Sequence, residues 1–352
     1  MESSKPTDDL GSLAAAASSF PLLVYEHGEP PEDIYQTVLS VADGSTRTLQ
    51  VPELSNFRCL ETPQGLVLMV DMTSFQCWLW NPQTGEKTAL PAMGEAPPVY
   101  CRCLISDTIT SPPDWVWALQ DGVAPPDSLV VVYDLDHPEL LLCRVNGGAA
   151  WVRQSYDMGL CEVPGKAPTK YTINTIAAVQ GIFYYLKSRD VVGIFASFAD
   201  DPEPRLELTS FDAMEPSLVS DAPQVATLPY LLESGKELFL ICLFYLGCTM
   251  ERIEEVGVYV MDFAGEKWCK VTDIGDRAFI LGPEHFATSC SAVEHGLKEG
   301  CVYFANDLLG DSNDFHIFDI KEGTREVAGP AQDIPVLWRK PFWLVPVHPG
   351  VK

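Results

Sequence analysis

The sequence predicts an all-β fold of the β-propeller kind, with six blades and seven as the alternative count. Three observations lead there. Short runs rich in Val, Ile, Leu, Phe, Tyr and Trp recur from end to end of the 352 residues. Between them lie 28 Pro and 25 Gly, with no sustained helical periodicity. A weak hairpin phrase also returns at blade-sized intervals.

The runs are typified by Gly65–Val70, Ser128–Tyr133, Gly181–Leu186 and Cys301–Phe304. Their length and β-branched, aromatic content suit strands, and turn residues bound each one. The phrase is an apolar strand ending in Asp or Asn, a turn, and a second strand. It is clearest at Trp80-Asn81-Pro82-Gln83-Thr84-Gly85, Met261-Asp262-Phe263-Ala264-Gly265 and Phe318-Asp319-Ile320-Lys321-Glu322-Gly323, and looser at Asp43, Asp134 and Asp212. An Asp or Asn that bonds its own turn backbone, with Gly supplying positive φ, is the expected hairpin device. The markers are 38, 53, 78, 50 and 57 residues apart. Most steps fit one blade, and the longest leaves room for a degenerate blade or an insertion. A β-sandwich, or two, is the competing architecture, because such hairpins occur in every antiparallel fold.

The expected organisation is a flexible tail over residues 1–19, one propeller domain over 20–347, and a short tail over 348–352. Pro341–Val347 is predicted to pair as a strand near Phe20–Tyr25, because a closed ring removes exposed sheet edges. The most apolar window, Leu238–Leu246, falls well short of the roughly twenty residues a membrane-spanning helix needs. Residues 1–20 carry Asp8 and Asp9 where a targeting peptide requires positive charge. A cytoplasmic or nuclear, monomeric protein is expected.

Hydrophobic residues make up 47% of the chain and charged ones 20%, enough apolar material for a substantial core. Asp and Glu number 49 against 23 Lys and Arg, a formal charge of -26. Such a field repels phosphate backbones and anionic membranes, which excludes both as main ligands. It serves solubility first and leaves an acidic docking face as the functional alternative. The eleven Cys are odd in number and irregular in spacing, as expected of reduced core residues.

Segments toward the C-terminus carry a family resemblance: Thr272-Asp273-Ile274-Gly275-Asp276-Arg277-Ala278-Phe279-Ile280-Leu281-Gly282, then Phe286-Ala287-Thr288-Ser289-Cys290-Ser291-Ala292, then Gly300-Cys301-Val302-Tyr303-Phe304 and Phe318-Asp319. With Trp80-Asn81-Pro82 and Pro341-Phe342-Trp343 they resemble the plant family of kelch-like, F-box-associated propellers of the KIB type. The resemblance covers about residues 20 to 345. It implies a kelch-like propeller and a substrate-recognition role in a ubiquitin ligase. Many members begin with an F-box of about forty residues. Here the first strand-like run, Phe20–Tyr25, starts where an F-box would be unfinished, so that role is expected to be weakened.

No catalytic grouping emerges. Neither GxxxxGK nor GxGxxG is present, and GxSxG is missing. His285, Cys290, His295 and Cys301 are spaced 5, 5 and 6 residues apart, unlike the close pairs of zinc sites, and the two Cys are expected to pack within one blade. Cys101 and Cys103 are read as core. The Trp residues fit strand packing as well as a stacking platform. No catalytic residue, cofactor or metal is assigned, and an unrecognised hydrolase or sugar-binding propeller ranks below the other readings. The expectation is a non-enzymatic interaction module, with a ubiquitin-ligase receptor as the alternative. Its contacts are expected on three longer connections, Ser106–Asp114, Ala199–Arg205 and Gly247–Glu255. Asp200, Asp201, Glu203, Glu251, Glu254 and Glu255 are the candidate contact residues, for a protein partner with a basic surface.

Overall fold

A computed structural model describes residues 13, 19–29, 33–106, 128–145, 147–161, 165, 167–188, 190–197, 204–213, 225–246, 253–305, 315–329, 334, 337 and 340–348. Blade 1 contains β1 (Leu22–Glu29), β2 (Asp33–Ser40) and β3 (Thr46–Leu49). Blade 2 contains β4 (Arg58–Glu61), β5 (Val67–Val70), β6 (Cys77–Trp80) and β7 (Lys87–Leu90). Blade 3 contains β8 (Cys101–Ile105), β9 (Leu129–Asp134), β10 (Glu139–Arg144) and β11 (Val152–Ser155). A two-stranded hairpin, β12 (Leu160–Cys161) and β13 (Thr169–Lys170), precedes blade 4, which contains β14 (Ile176–Val179), β15 (Ile182–Leu186), β16 (Val191–Ser197) and β17 (Leu206–Asp212). Blade 5 contains β18 (Val225–Ser234), β19 (Glu237–Leu246), β20 (Ile253–Asp262) and β21 (Lys267–Lys270). Blade 6 contains β22 (Arg277–Leu281), β23 (Ala287–Ser291), β24 (Cys301–Ala305), β25 (Phe315–Asp319) and β26 (Thr324–Ala328).

The last strand, β27 (Phe342–Leu344), returns to blade 1 and pairs antiparallel with β1, with Leu344 opposite Leu22 and Phe342 opposite Val24. The predicted closure is therefore present in its predicted register region. The innermost strands are β27, β4, β8, β14, β18 and β23, one per blade. Each begins at what we term the leading rim of the ring and ends at the trailing rim.

Six apolar clusters, one at each blade boundary, decide between propeller and sandwich. On β15, Ile182 and Tyr184 face blade 5, while Phe183 and Tyr185 face blade 3. On β1, Leu22 and Val24 join the cluster with blade 2, while Leu23 and Tyr25 join the one with blade 6. Strand side chains alternate between faces, and here both faces are buried, so the strands are continuous apolar runs. Burying each large side chain contributes about 1.5–3 kcal/mol, and no boundary of the ring is left without its cluster. Leu13 is buried in the first boundary, so the segment expected as a loose N-terminal tail is tied down at that residue.

Most of the Asp and Asn markers form Asx turns. Asp43 accepts from the Ser45 N–H at 2.9 Å, Asn81 from that of Gln83 at 2.9 Å, Asp262 from that of Gly265 at 3.0 Å and Asp319 from that of Glu322 at 2.9 Å. These four occupy the outermost hairpin of their blades, on the trailing rim. Asp134 caps the hairpin before it, in blade 3, and Asp212 ends the outermost strand of blade 4. That displacement and the β12–β13 hairpin account for the long step, and the blade count is six.

Candidate functional site

The axis of the ring is where propellers commonly hold ligands, and here it is filled. Just inside the leading rim, Arg102 of β8 donates to Glu61 of β4 and to the carbonyl of Pro283, and its Nη2 lies 3.2 Å from Glu284 Oε2. Pro283–His285 is the turn between β22 and β23, so one guanidinium joins blades 2, 3 and 6. Burial opposes its charge, but Glu61 and then Glu284 more than offset this and raise its pKa. His285 of the same turn bonds the Pro229 carbonyl through Nδ1 at 2.7 Å and lies against Tyr230, drawing in blade 5.

The trailing rim is closed by main chain. After β27 the chain crosses the innermost turn of blade 2, where the His348 N–H donates to the Gln64 carbonyl at 2.9 Å and the Val347 N–H to Gln83 Oε1 at 2.8 Å. Gly65, at φ +86°, lies so close that a Cβ there would stand 2.4 Å from the Pro346 carbonyl oxygen. His348 Nε2 reaches Glu233 Oε2 of blade 5 at 3.4 Å, so the expected C-terminal tail is anchored at its first residue. Between the two closures, Gln64 bonds the Ile105 N–H at 2.9 Å, Thr175 that of Leu231 at 2.8 Å, and Thr288 the Pro63 carbonyl. Among the described residues, a cavity of about 20 Å³ on the axis, between Gln64, Ala177, Leu232, Thr288 and His348, has room for about one water. Beside the strap, an open cleft of about 680 Å³ on the trailing rim is bordered by Gln83, Arg277, Ser289, Cys290, His295 and His348.

Of the predicted contact residues, Asp200, Asp201, Glu203 and Glu251 lie outside the described residues. Glu254 and Glu255 belong to strand β20 and not to a loop. Tyr245 faces Ile253 and Phe244 faces Glu255, so Glu254 is the extra residue of a β-bulge. The bulge breaks alternation and exposes both carboxylates, and Glu255 lies 3.1 Å from Lys270 Nζ. Ser197 and Leu206 end at the trailing rim, whereas Leu246 and Ile253 end at the leading rim. The strand ends that bracket the two acidic segments thus open to opposite faces.

Cys290 and Cys301 both flank Ala278, one from each side of β22. The Cys290 thiol is pushed up to about 12 by burial and then by the carboxylates of Asp276 and Glu294, which disfavours the thiolate a nucleophile requires. Cys101 and Cys103 lie in the core between blades 2 and 3. Trp80, Trp268 and Trp343 are also core, while Trp115, Trp117 and Trp338 lie outside the described residues. Among the described residues no three His, Cys, Asp or Glu side chains gather where a metal ion would sit, and no helix is long and apolar enough to cross a membrane. Arg102 escaped sequence reasoning. Its one signal was a lone arginine within the apolar run Cys101-Arg102-Cys103-Leu104-Ile105.

Geometry thus defines a six-bladed β-propeller with a filled axis. Residues 38–319 match the KIB1-4 beta-propeller family, and the chain belongs to it. It is 34% identical over 102 residues to an F-box/kelch-repeat protein of Arabidopsis thaliana, an alignment that takes in 29% of this chain and 22% of that protein's length. Among solved structures, it is similar to a putative 6-phosphogluconolactonase of Bacteroides fragilis at 13% identity and a TM-score of 0.41, covering 96% of this chain and 98% of that one. The virginiamycin B lyase of Staphylococcus aureus follows at 8% and 0.34, covering 90% and 86%. Likenesses this distant carry neither activity nor ligand to this chain.

Proposed function

We infer that this chain is a non-enzymatic protein-interaction module whose working surfaces are the rims of the propeller. The filled axis is the observation that carries this reading. Among the described residues, Arg102 and Glu61 pair across the axis, and Gln64, Thr288 and His348 line an axial cavity of only about 20 Å³. Binding energy must then come from surface residues, and the charge of -26 favours a partner with a basic face, approached by electrostatic steering. None of the ten described cysteines is in a disulfide, which supports a reducing compartment, cytoplasmic or nuclear. A second reading, substrate recognition for a ubiquitin ligase, is supported by the F-box/kelch-repeat relative.

Affinity purification from the source tissue at low and high salt, with wild type and with Asp200, Asp201, Glu254 and Glu255 reversed in charge, tests the module. Partners retained at low salt and lost on charge reversal are expected. Partners indifferent to salt and to those substitutions would remove the acidic-face proposal, and a robust complex with a Skp-type adaptor would promote the ligase reading.

A further inference from the structure

The large apolar side chains exposed among the described residues are unevenly placed. Val293 lies on the trailing rim, and Tyr35 and Val327 stand on blade strands, but Met72, Val99, Tyr100 and Tyr171 belong to turns or linkers rooted on the leading rim, and Leu160 opens the β12–β13 hairpin rooted there. The centre of that group is stitched together by hydrogen bonds to main-chain carbonyls. The Leu135 N–H donates to the Tyr100 carbonyl at 2.9 Å, and Thr172 Oγ1 donates to the Leu135 carbonyl at 2.9 Å. The linker from blade 2, the turn of blade 3 and the base of the β12–β13 hairpin are therefore immediate neighbours. Across them Val99 is 78% exposed, Tyr100 56% and Tyr171 47%.

The knuckle that presents Val99 and Tyr100 is ordered before anything binds. Arg58 donates Nη1 to the Pro97 carbonyl at 2.8 Å and Nη2 to the carbonyls of Pro98 and Val99, the last at 2.8 Å. Two consecutive prolines fix their own φ. Preorganisation of this kind lowers the entropy lost on association. An exposed tyrosine on such a knuckle, as Tyr100 is, is the kind of anchor on which interfaces concentrate their energy.

Charge selects the occupant. Asp136 is exposed beside Leu135, Asp157 is exposed near the hairpin base, and Asp134 lies beneath, paired with His137 at 3.1 Å. Of the neighbouring cations, Arg58 is engaged by carbonyls and Arg153 by Glu95 and Glu139, while Lys170 is exposed beside Tyr171, so the carboxylates of Asp134, Asp136 and Asp157 outnumber this exposed cation. Aromatic faces beside uncompensated carboxylates favour Lys and Arg through cation–π and ionic contacts together. A second copy of this chain, itself at -26, would be repelled.

We propose that the leading rim over blades 2 to 4, centred on Val99, Tyr100 and Tyr171, is the docking surface, and that its occupant is a basic segment of another protein carrying an apolar anchor. The proposal rests on the interaction-module reading and specifies its face and partner chemistry.

The test pans a displayed random-peptide library against the full-length chain and measures the selected peptides on variants. Enrichment of Lys and Arg beside a large apolar residue is expected, with affinity falling as salt rises from about 0.1 to about 0.5 M. Tyr100→Ala combined with Tyr171→Ala should raise Kd at least about 10-fold with an unchanged Tm, because both side chains are exposed. Arg58→Gln should weaken binding by releasing the knuckle, whereas Val293→Ala on the opposite rim should leave it unchanged. Selected peptides without basic residues, or binding indifferent to the tyrosine pair, would overturn the site. Binding that moves instead with Gln83 or Arg277 would transfer it to the trailing cleft and keep the module reading. Self-association through the patch, or a library yielding no binder, would also overturn the proposal, and in the latter case failure to purify any partner would take the module reading with it.

Discussion

The two ends of the axis are closed by different physics. At the leading rim a buried guanidinium gathers carboxylates and a carbonyl from blades 2 and 6. At the trailing rim a strap of main chain crosses a glycine turn and leaves an open cleft beside it. A charged lock depends on every member, because each buried charge without its partner is costly. A backbone strap depends on shape and on the strand that delivers it. The leading rim therefore ends in a buried charged centre with exposed aromatic groups around it, and the trailing rim in Asx turns and an open cleft.

Removing the strap's source should have the largest effect. Deleting residues 341–352 takes away β27, the innermost strand of blade 1, and with it Trp343, which is 1% exposed and donates Nε1 to the Leu281 carbonyl at 2.8 Å. Loss of cooperative thermal unfolding is expected, and an unchanged transition would deny that β27 closes the ring. Next in size is Arg102→Met, which leaves Glu61 buried without its cation and should cost about 3–5 kcal/mol in chemical denaturation. Adding Glu61→Leu should recover most of that loss, because an apolar pair of similar volume needs no compensation. Failure to recover would mean that the lock contributes specificity the apolar pair lacks.

Gly65→Ala tests the strap alone, since the new methyl group would strike the Pro346 carbonyl in a backbone conformation that L residues rarely adopt. We expect about 1–3 kcal/mol and increased hydrogen exchange at Val347 and His348, with the Arg102 cluster undisturbed. The smallest effect is a pH dependence at the leading rim. Burial, the largest cause, lowers the His285 pKa below its ordinary 6.5, with Arg102 adding to the shift. The unfolded chain then takes up a proton before the folded one. The resulting stability is present above about pH 6.5 and is lost as pH falls toward the lower folded value. His285→Asn, which tolerates the positive φ of 64°, should flatten the acid limb of a stability–pH profile.

Much of this fold was legible in the sequence, and the reasons are local. Asx turns declare themselves by one residue and its neighbours, so the markers at Asp43, Asn81, Asp262 and Asp319 pointed to four of the six blades. Asp134 and Asp212 misled the spacing because each serves a different turn or strand end. The closing strand was legible because a ring requires one and Pro341–Val347 was the last apolar run. The axis was not. Arg102 meets the carbonyl of Pro283, which is 181 residues away, and no local pattern announces a pair at that range. The bulge at Glu254 likewise depends on register with β19, so Glu254 and Glu255 were assigned to a loop when they begin a strand.

If this propeller binds on its rims and not through its axis, amide hydrogen exchange on the full chain, with and without a library-selected basic peptide, will show where. New protection at Tyr100, Leu135 and Thr172, with the amides of β4, β14 and β18 unaltered, is the predicted result. Protection concentrated in those inner strands, with the leading-rim turns unchanged, would contradict it.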